Sequence, residues 1–250
     1  MNQKEIHAQN QNSWNMIADD WFGTTALPVY GRNIPSEDEL CLFGDVAGMK
    51  ILDIGFGSGH SLIYHGTRGA AELWGIDLSN KQKENAEILL KQNGYKPRLF
   101  VSPMEEDPGL PKDYFSVAYS IYALGWTIDL DTTLNLVASY LKQGGIFIFS
   151  WDHPFMRCIE AENEFLAIKR SYHDEDILHF SKGGHPVSLY NRKLSTYINA
   201  LAKAGFVIEN MIEEVDHRTM NAQPEFSSAY YSDYKAKLFP LSFIIKARKL

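Results

Sequence analysis

The stretch of this 250-residue chain richest in chemical implication is Ile51-Leu52-Asp53-Ile54-Gly55-Phe56-Gly57-Ser58-Gly59-His60. Three glycines at alternate positions follow directly on an apolar run. Glycine lets the backbone turn sharply and approach a ligand more closely than a Cβ would permit. A helix starting just beyond would turn unpaired N–H groups toward the same place. Lys50–Ile54 itself reads as a buried parallel strand, and open α/β sheets bind ligands in the crevice at the carboxyl ends of such strands. The loop departs from the dinucleotide fingerprint, because its third glycine falls one residue short of G-x-G-x-x-G. Asp53, two residues ahead of the first glycine, repels a diphosphate and attracts an ammonium group. Asp77 closes the next apolar run, where a carboxylate can accept both hydroxyls of a ribose. The pattern asks for an amino group and a ribose without phosphate. S-adenosylmethionine is such a ligand.

These residues need a scaffold, and the surrounding chain reads as alternating strands and helices. Ala71–Asp77, Arg98–Ser102, Tyr114–Ser120 and Ile146–Trp151 are strand-like apolar runs. Residues 59–68, Asn80–Asn93 behind Ser79 as N-cap, and Asp129–Leu141 carry helical spacing. Ser195 is expected to cap a helix through Leu201 that stops at Gly205, ahead of strands Phe206–Glu214 and Leu241–Ala247. Such alternation implies one α/β domain over residues 1–250, with a mostly parallel sheet and helices on both faces. Residues 154–192 break the rhythm and read as an irregular insertion, a lid on the substrate side. Residues 1–45 read as a helical cover, with Trp14, Ile17, Ala18, Trp21 and Phe22 on one stripe. Its polar Asn10–Ser13 stretch could hinge.

In this order the motifs resemble class I S-adenosylmethionine-dependent methyltransferases of the small-molecule type. The resemblance is close over Lys50–Trp151 and looser over the last helix and strands. By position, Asp53-x-Gly55-x-Gly57-x-Gly59 is similar to the family's first motif, which cradles the methionine part. Gly75-Ile76-Asp77-Leu78-Ser79 resembles the second, with Asp77 on the ribose and Leu78 against the adenine. Tyr114–Ser120 resembles the fourth strand, with Phe115-Ser116 where Phe-Asp is usual, and Leu141-Lys142-Gln143-Gly144-Gly145 the turn before the fifth. Pro103 stands where the family usually offers adenine an acid, which leaves the Met104 N–H or Glu105 for that contact. The resemblance implies a Rossmann-like seven-stranded sheet in the order 3-2-1-4-5-7-6, with only the last strand antiparallel. It implies S-adenosylmethionine as cofactor and S-adenosylhomocysteine as product. The expected cofactor-binding set is Asp53, Gly55, Phe56, Gly57, Gly59, His60, Asp77, Leu78, Met104, Glu105, Ser120 and Ile121.

The acceptor should approach over strands four and five. Tyr122 and His153 are the catalytic candidates there, and Tyr30, Trp126 and His185 the substrate-binding ones. His153 reads equally as a base and as a brace for the loop before Pro154. Transfer from a sulfonium needs alignment above all, so the lack of a catalytic triad is no objection. With 24 basic against 31 acidic side chains and no basic block, nucleic acid is not the expected partner. No apolar run approaches the ~18 residues that span a bilayer. Two distant cysteines, Cys41 and Cys158, build no disulfide framework and suit the cytoplasm. No His/Cys/acid spacing marks a metal site. The expected partner is a small-molecule methyl acceptor; nothing here speaks to oligomeric state. Three alternatives stay open: a cofactor-binding protein without transfer, a protein methyltransferase, and an NAD-type oxidoreductase, which Asp53 and the third glycine oppose.

Overall fold

The computed structural model describes residues 1–250. Its main sheet has seven strands: β1 (Lys50–Ile54), β2 (Glu72–Asp77), β3 (Arg98–Val101), β4 (Phe115–Ile121), β5 (Leu141–Asp152), β10 (Phe206–Ile212) and β11 (Ser242–Lys249). The smaller strands β6 (Ile159–Glu162), β7 (Phe165–Ile168), β8 (Ile177–Lys182) and β9 (His185–Tyr190) lie between β5 and β10 in the chain. The helices are α1 (Gln3–Ile17), α2 (Glu37–Leu40), α3 (His60–Thr67), α4 (Asn80–Gln92), α5 (Leu130–Tyr140), α6 (Leu194–Lys203), α7 (His217–Asn221) and α8 (Asp233–Ala236). None is long and apolar enough to cross a membrane.

Across the main sheet the order is β10-β11-β5-β4-β1-β2-β3, which is the expected 3-2-1-4-5-7-6. β1, β2, β3, β4 and β5 pair in parallel. β11 slots antiparallel between β5 and β10, so it alone runs against the rest. Both faces are covered, and alternate side chains sort accordingly. Leu52, Phe147, Phe149 and Phe243 pack with Leu134 and Val137 of α5 and Leu201 of α6. Ile51, Val117, Ile148 and Ile244 pack on the opposite face with Leu62 of α3 and Leu90 of α4.

Three local expectations are corrected. The 154–192 segment is not irregular: it forms two antiparallel hairpins, β6–β7 and β8–β9. Gly183-Gly184 and Asn163-Glu164 are their two-residue turns, with positive φ at all four positions, as tight hairpins of the mirror-image turn type require. Ser195 does not cap α6. The N-cap position is Lys193, and its backbone N–H donates to the Glu175 carboxylate at 3.0 Å, which also accepts from the Thr196 hydroxyl. The cap is borrowed from the insertion.

Nor do Asn10–Ser13 hinge, since α1 runs through them unbroken. The Asn10 amide donates to Ser188 O (2.7 Å) and accepts from Ser188 N (2.8 Å), standing in for a neighbouring strand on the edge of β9. Ser13 donates to Pro186 O at 2.6 Å. At its far end α1 reaches α4, where Asn15 accepts from Ser79 at 2.7 Å and Gln11 donates to Leu78 O at 2.8 Å. Buried polar groups demand partners, and here the pairs dock α1 across the carboxyl edge of the sheet.

Candidate functional site

A cavity of about 470 Å³ opens at that edge, within the range of small-molecule sites. Its floor is the loop leaving β1. The chain turns at Gly55, Gly57 and Gly59, all at positive φ (+86°, +51° and +83°). A Cβ on Gly55 would stand 2.2 Å from that of Ala123, so the loop touches the segment after β4. A Cβ on Gly57 would meet nothing within 4 Å: its side opens onto free space. Gly59 lies behind the wall as N-cap of α3, packed on Ala86 and Leu90.

Asp77 ties this loop to the end of β2. Its Oδ2 accepts from Gly57 N at 2.9 Å and its Oδ1 from Ser79 N at 2.8 Å. A carboxylate oxygen has two lone pairs, so each keeps one for a ligand. Burial pushes the Asp77 carboxyl up to about 6, held back by the N–H groups of Ser79, Gly57 and Leu78. Asp53 is 2% exposed, and burial raises it well above the usual carboxylate range. The Tyr119 hydroxyl opposes that rise and the Asp77 charge adds to it. Neither acid has a Lys, Arg or His in ion-pair range, although ion pairs occur elsewhere in the protein. Two buried acids thus face one cavity with no cation beside them, and burial favours the neutral form of each.

Of the expected residues, Asp53, Gly55, Phe56, Gly57, His60, Asp77, Leu78, Met104, Glu105, Ile121, Tyr122 and Trp126 line this cavity together. Others lie elsewhere. Ser120 is fully buried and donates to Ile54 O at 2.7 Å, bracing β4 against β1. Tyr30 is fully buried, stacked on Phe43 and bonded to Glu37 at 2.7 Å. His185 pairs with Lys182 beside the hairpin turn. His153 sits off the wall, its Nε2 2.8 Å from Glu213 and its Nδ1 accepting from Phe155 N at 3.2 Å. Of the two readings it left open, the loop brace is the one its contacts satisfy.

Two residues on the wall are partly committed already. Glu105 accepts from the Thr127 hydroxyl (2.7 Å) and Ile128 N (2.5 Å), with His7 Nε2 3.4 Å from its other oxygen. Tyr122, at φ +53°, has its hydroxyl bonded to Ser242 Oγ. Burial, and secondarily Asp152, hold that phenol well above its ordinary value, so it stays neutral and is no general base near pH 7.

Sequence reasoning missed the far wall: Arg32, Asp152, Arg157, Phe180, Lys182, Tyr230 and Tyr231. They come from five separate segments, and only the Tyr230-Tyr231 pair in an aliphatic-poor stretch offered a local signal. Trp14 and Trp21, from the aromatic N-terminal stripe, complete that wall.

Known proteins resemble this chain in sequence and fold. A methyltransferase-domain family model matches residues 52–149, from inside β1 to inside β5. An uncharacterized protein of Haemophilus influenzae is 31% identical over 223 residues, covering 84% of this chain and 85% of its own. A crystal structure of an S-adenosylmethionine dependent methyltransferase from Mesorhizobium loti superposes with a TM-score of 0.69 at 25% identity, over 84% of this chain and 95% of that one. The chain belongs to the class I S-adenosylmethionine-dependent methyltransferases. The cofactor of this methyltransferase is accordingly S-adenosylmethionine, whose positive charges and ribose hydroxyls match the uncompensated acids Asp53 and Asp77. The fold is broader than the reaction: the cyclase SpnF shares it, with a TM-score of 0.60 at 17% identity over 98% of this chain and 94% of that one. The acceptor must therefore be argued from this methyltransferase's own cavity.

Proposed function

We propose that this methyltransferase acts on a small-molecule acceptor enclosed beside the cofactor. The observation that carries the reading is the cavity itself. α1 and the β8–β9 hairpin reach over it, and Trp14, Trp21, Trp126 and Phe180 wall the side away from the glycine loop. A space of about 470 Å³ is of the size that encloses small molecules.

In this reading Asp53 and the Gly55–Gly57 turn hold the methionine end, Asp77 the ribose, and Leu78, Met104 and Ile121 the adenine. Bound there, S-adenosylmethionine would supply a methyl group activated by the sulfonium charge to an acceptor lone pair, with S-adenosylhomocysteine as the leaving group. The aromatic wall excludes water and aligns the acceptor, and alignment can be worth roughly 7–11 kcal/mol. A base is required only for an acceptor that is protonated at the working pH.

Two measurements test the reading. In calorimetric titration S-adenosylhomocysteine should bind and NADH should not. With isotopically labelled S-adenosylmethionine and a cell extract, label should enter the small-molecule fraction; label in protein or RNA instead would sink the proposal.

The pH dependence follows from Asp77. A ligand that uses both of its oxygens as acceptors binds the ionised form, so binding lowers the carboxyl from about 6. Affinity is then nearly complete by pH 7 and lost as pH falls through about 6. At pH 5 about a tenth of the free protein is competent, so S-adenosylhomocysteine should bind about tenfold more weakly than at pH 7. Asp53 shifts in the same direction and can only steepen the loss. A flat profile between pH 5 and 7 would remove Asp77 from the ribose site.

A further inference from the structure

The cavity is divided by charge. On its cofactor side the acids are Asp53, Asp77 and Glu105, and no lysine or arginine lines the wall there. On the far side stand Arg32, Arg157 and Lys182, with Asp152 as the single acid among them. Asp152 is 6% exposed and already engaged. It accepts from Tyr231 (2.6 Å) and Tyr230 (3.2 Å), and Arg157 approaches it at 3.6 Å.

One acid cannot balance three cations. Lys182 and Arg32 have no carboxylate within 4 Å and no hydrogen-bond acceptor for their charged ends, whereas most basic side chains elsewhere are paired. The Lys182 ammonium is half-buried, 4.0 Å from the Trp21 ring centre and 5.7 and 5.8 Å from those of Trp14 and Trp126. Arg157 lies over Phe180 (5.5 Å) and Tyr230 (5.6 Å). Aromatic faces offset part of the cost of desolvating a cation, but they do not supply a counter-charge. Burial accordingly lowers the Lys182 pKa.

We propose that the methyl acceptor is a planar organic oxyanion, its carboxylate or phosphate held by Lys182 and Arg157 and its flat body set among Trp126, Trp151 and Phe180. Arg32, exposed at the mouth with its guanidinium 6.0 Å from the Tyr231 ring centre, draws such an anion in. The arrangement brings a negatively charged acceptor toward a positively charged donor and leaves its neutral end free to face the methyl group. This rests on the small-acceptor reading above and adds the acceptor's charge to it.

The test uses the full-length protein saturated with S-adenosylhomocysteine and titrated with matched probes: benzoate, 4-hydroxybenzoate and phenyl phosphate against benzamide and benzylamine. The anions should bind at least about tenfold more tightly than the neutral and cationic probes, as charge-assisted hydrogen bonds outweigh neutral ones. Benzoate against phenyl phosphate tells carboxylate from phosphate recognition. Lys182→Met should remove most of that preference and Lys182→Arg should restore it, with S-adenosylhomocysteine affinity within about twofold of wild type. Equal binding of acid and amide, tighter binding of the amine, or no binding by any acid overturns the inference. If Lys182→Met loses the cofactor as well, the wild-type comparison of benzoate with benzamide decides. Failure of wild type to bind S-adenosylhomocysteine would instead strike at the proposed function.

Discussion

Asp77→Ala should weaken S-adenosylhomocysteine binding by roughly a hundredfold or more. Two hydrogen bonds to a carboxylate are lost, at about 1.5–3 kcal/mol each, and 1.4 kcal/mol is tenfold. The variant also frees Gly57 N and Ser79 N, so the loop is held less firmly before any ligand arrives. Global stability should change little by comparison. The lost bonds are offset because the buried carboxyl, with its pKa raised to about 6, is itself unfavourable in its charged form at neutral pH. Calorimetry for affinity and thermal unfolding for stability separate the two effects. Unchanged affinity would mean that the ribose is held elsewhere.

Gly55→Ala should unfold at a markedly lower temperature. At φ +86° an alanine is strained by about 1–2 kcal/mol, and its Cβ would lie 2.2 Å from that of Ala123, which adds about 1–3 kcal/mol of overpacking. At roughly 2–4 °C per kcal/mol for a chain of this size, the melting temperature should fall by about 5–15 °C. Adding Ala123→Gly relieves the collision but not the dihedral, so the double variant should recover only part of the loss. Full recovery would show that the dihedral is costless, and no loss in the single variant would show that the loop moves aside freely.

What could be read in advance was local. Strand, glycine loop and the acids Asp53 and Asp77 lie within a few dozen residues, and one physical requirement, close backbone approach at a strand end, links them. The strand order came through family resemblance, since pairing Leu241–Ala247 between two earlier strands leaves no local trace. His153 shows how a strand end misleads. Successive side chains point opposite ways, and with Asp152 on the cavity wall His153 is turned to Glu213, just past the end of β10. The hairpins were hidden because β8, Ile-Leu-His-Phe-Ser-Lys, alternates too weakly to announce a strand, although Gly183-Gly184 marked its turn. The cationic wall was illegible for a different reason. Arg32, Arg157 and Lys182 stand apart in sequence, and only the folded chain brings them to one cavity.

The position of β11 has a consequence for how the chain is made. Its residues, Ser242–Lys249, leave the ribosome after every other strand of the sheet, yet they fill a place inside it, hydrogen-bonded to β5 on one side and β10 on the other. Until they emerge, β5 carries a long unpaired edge with Phe147, Ile148 and Phe149 at its centre, and β10 has no partner at all. Such an edge is a template for pairing with other chains. Vectorial folding therefore cannot finish this domain strand by strand. From the completion of β5 until β11 emerges the nascent chain carries this open apolar edge, and one late strand closes it.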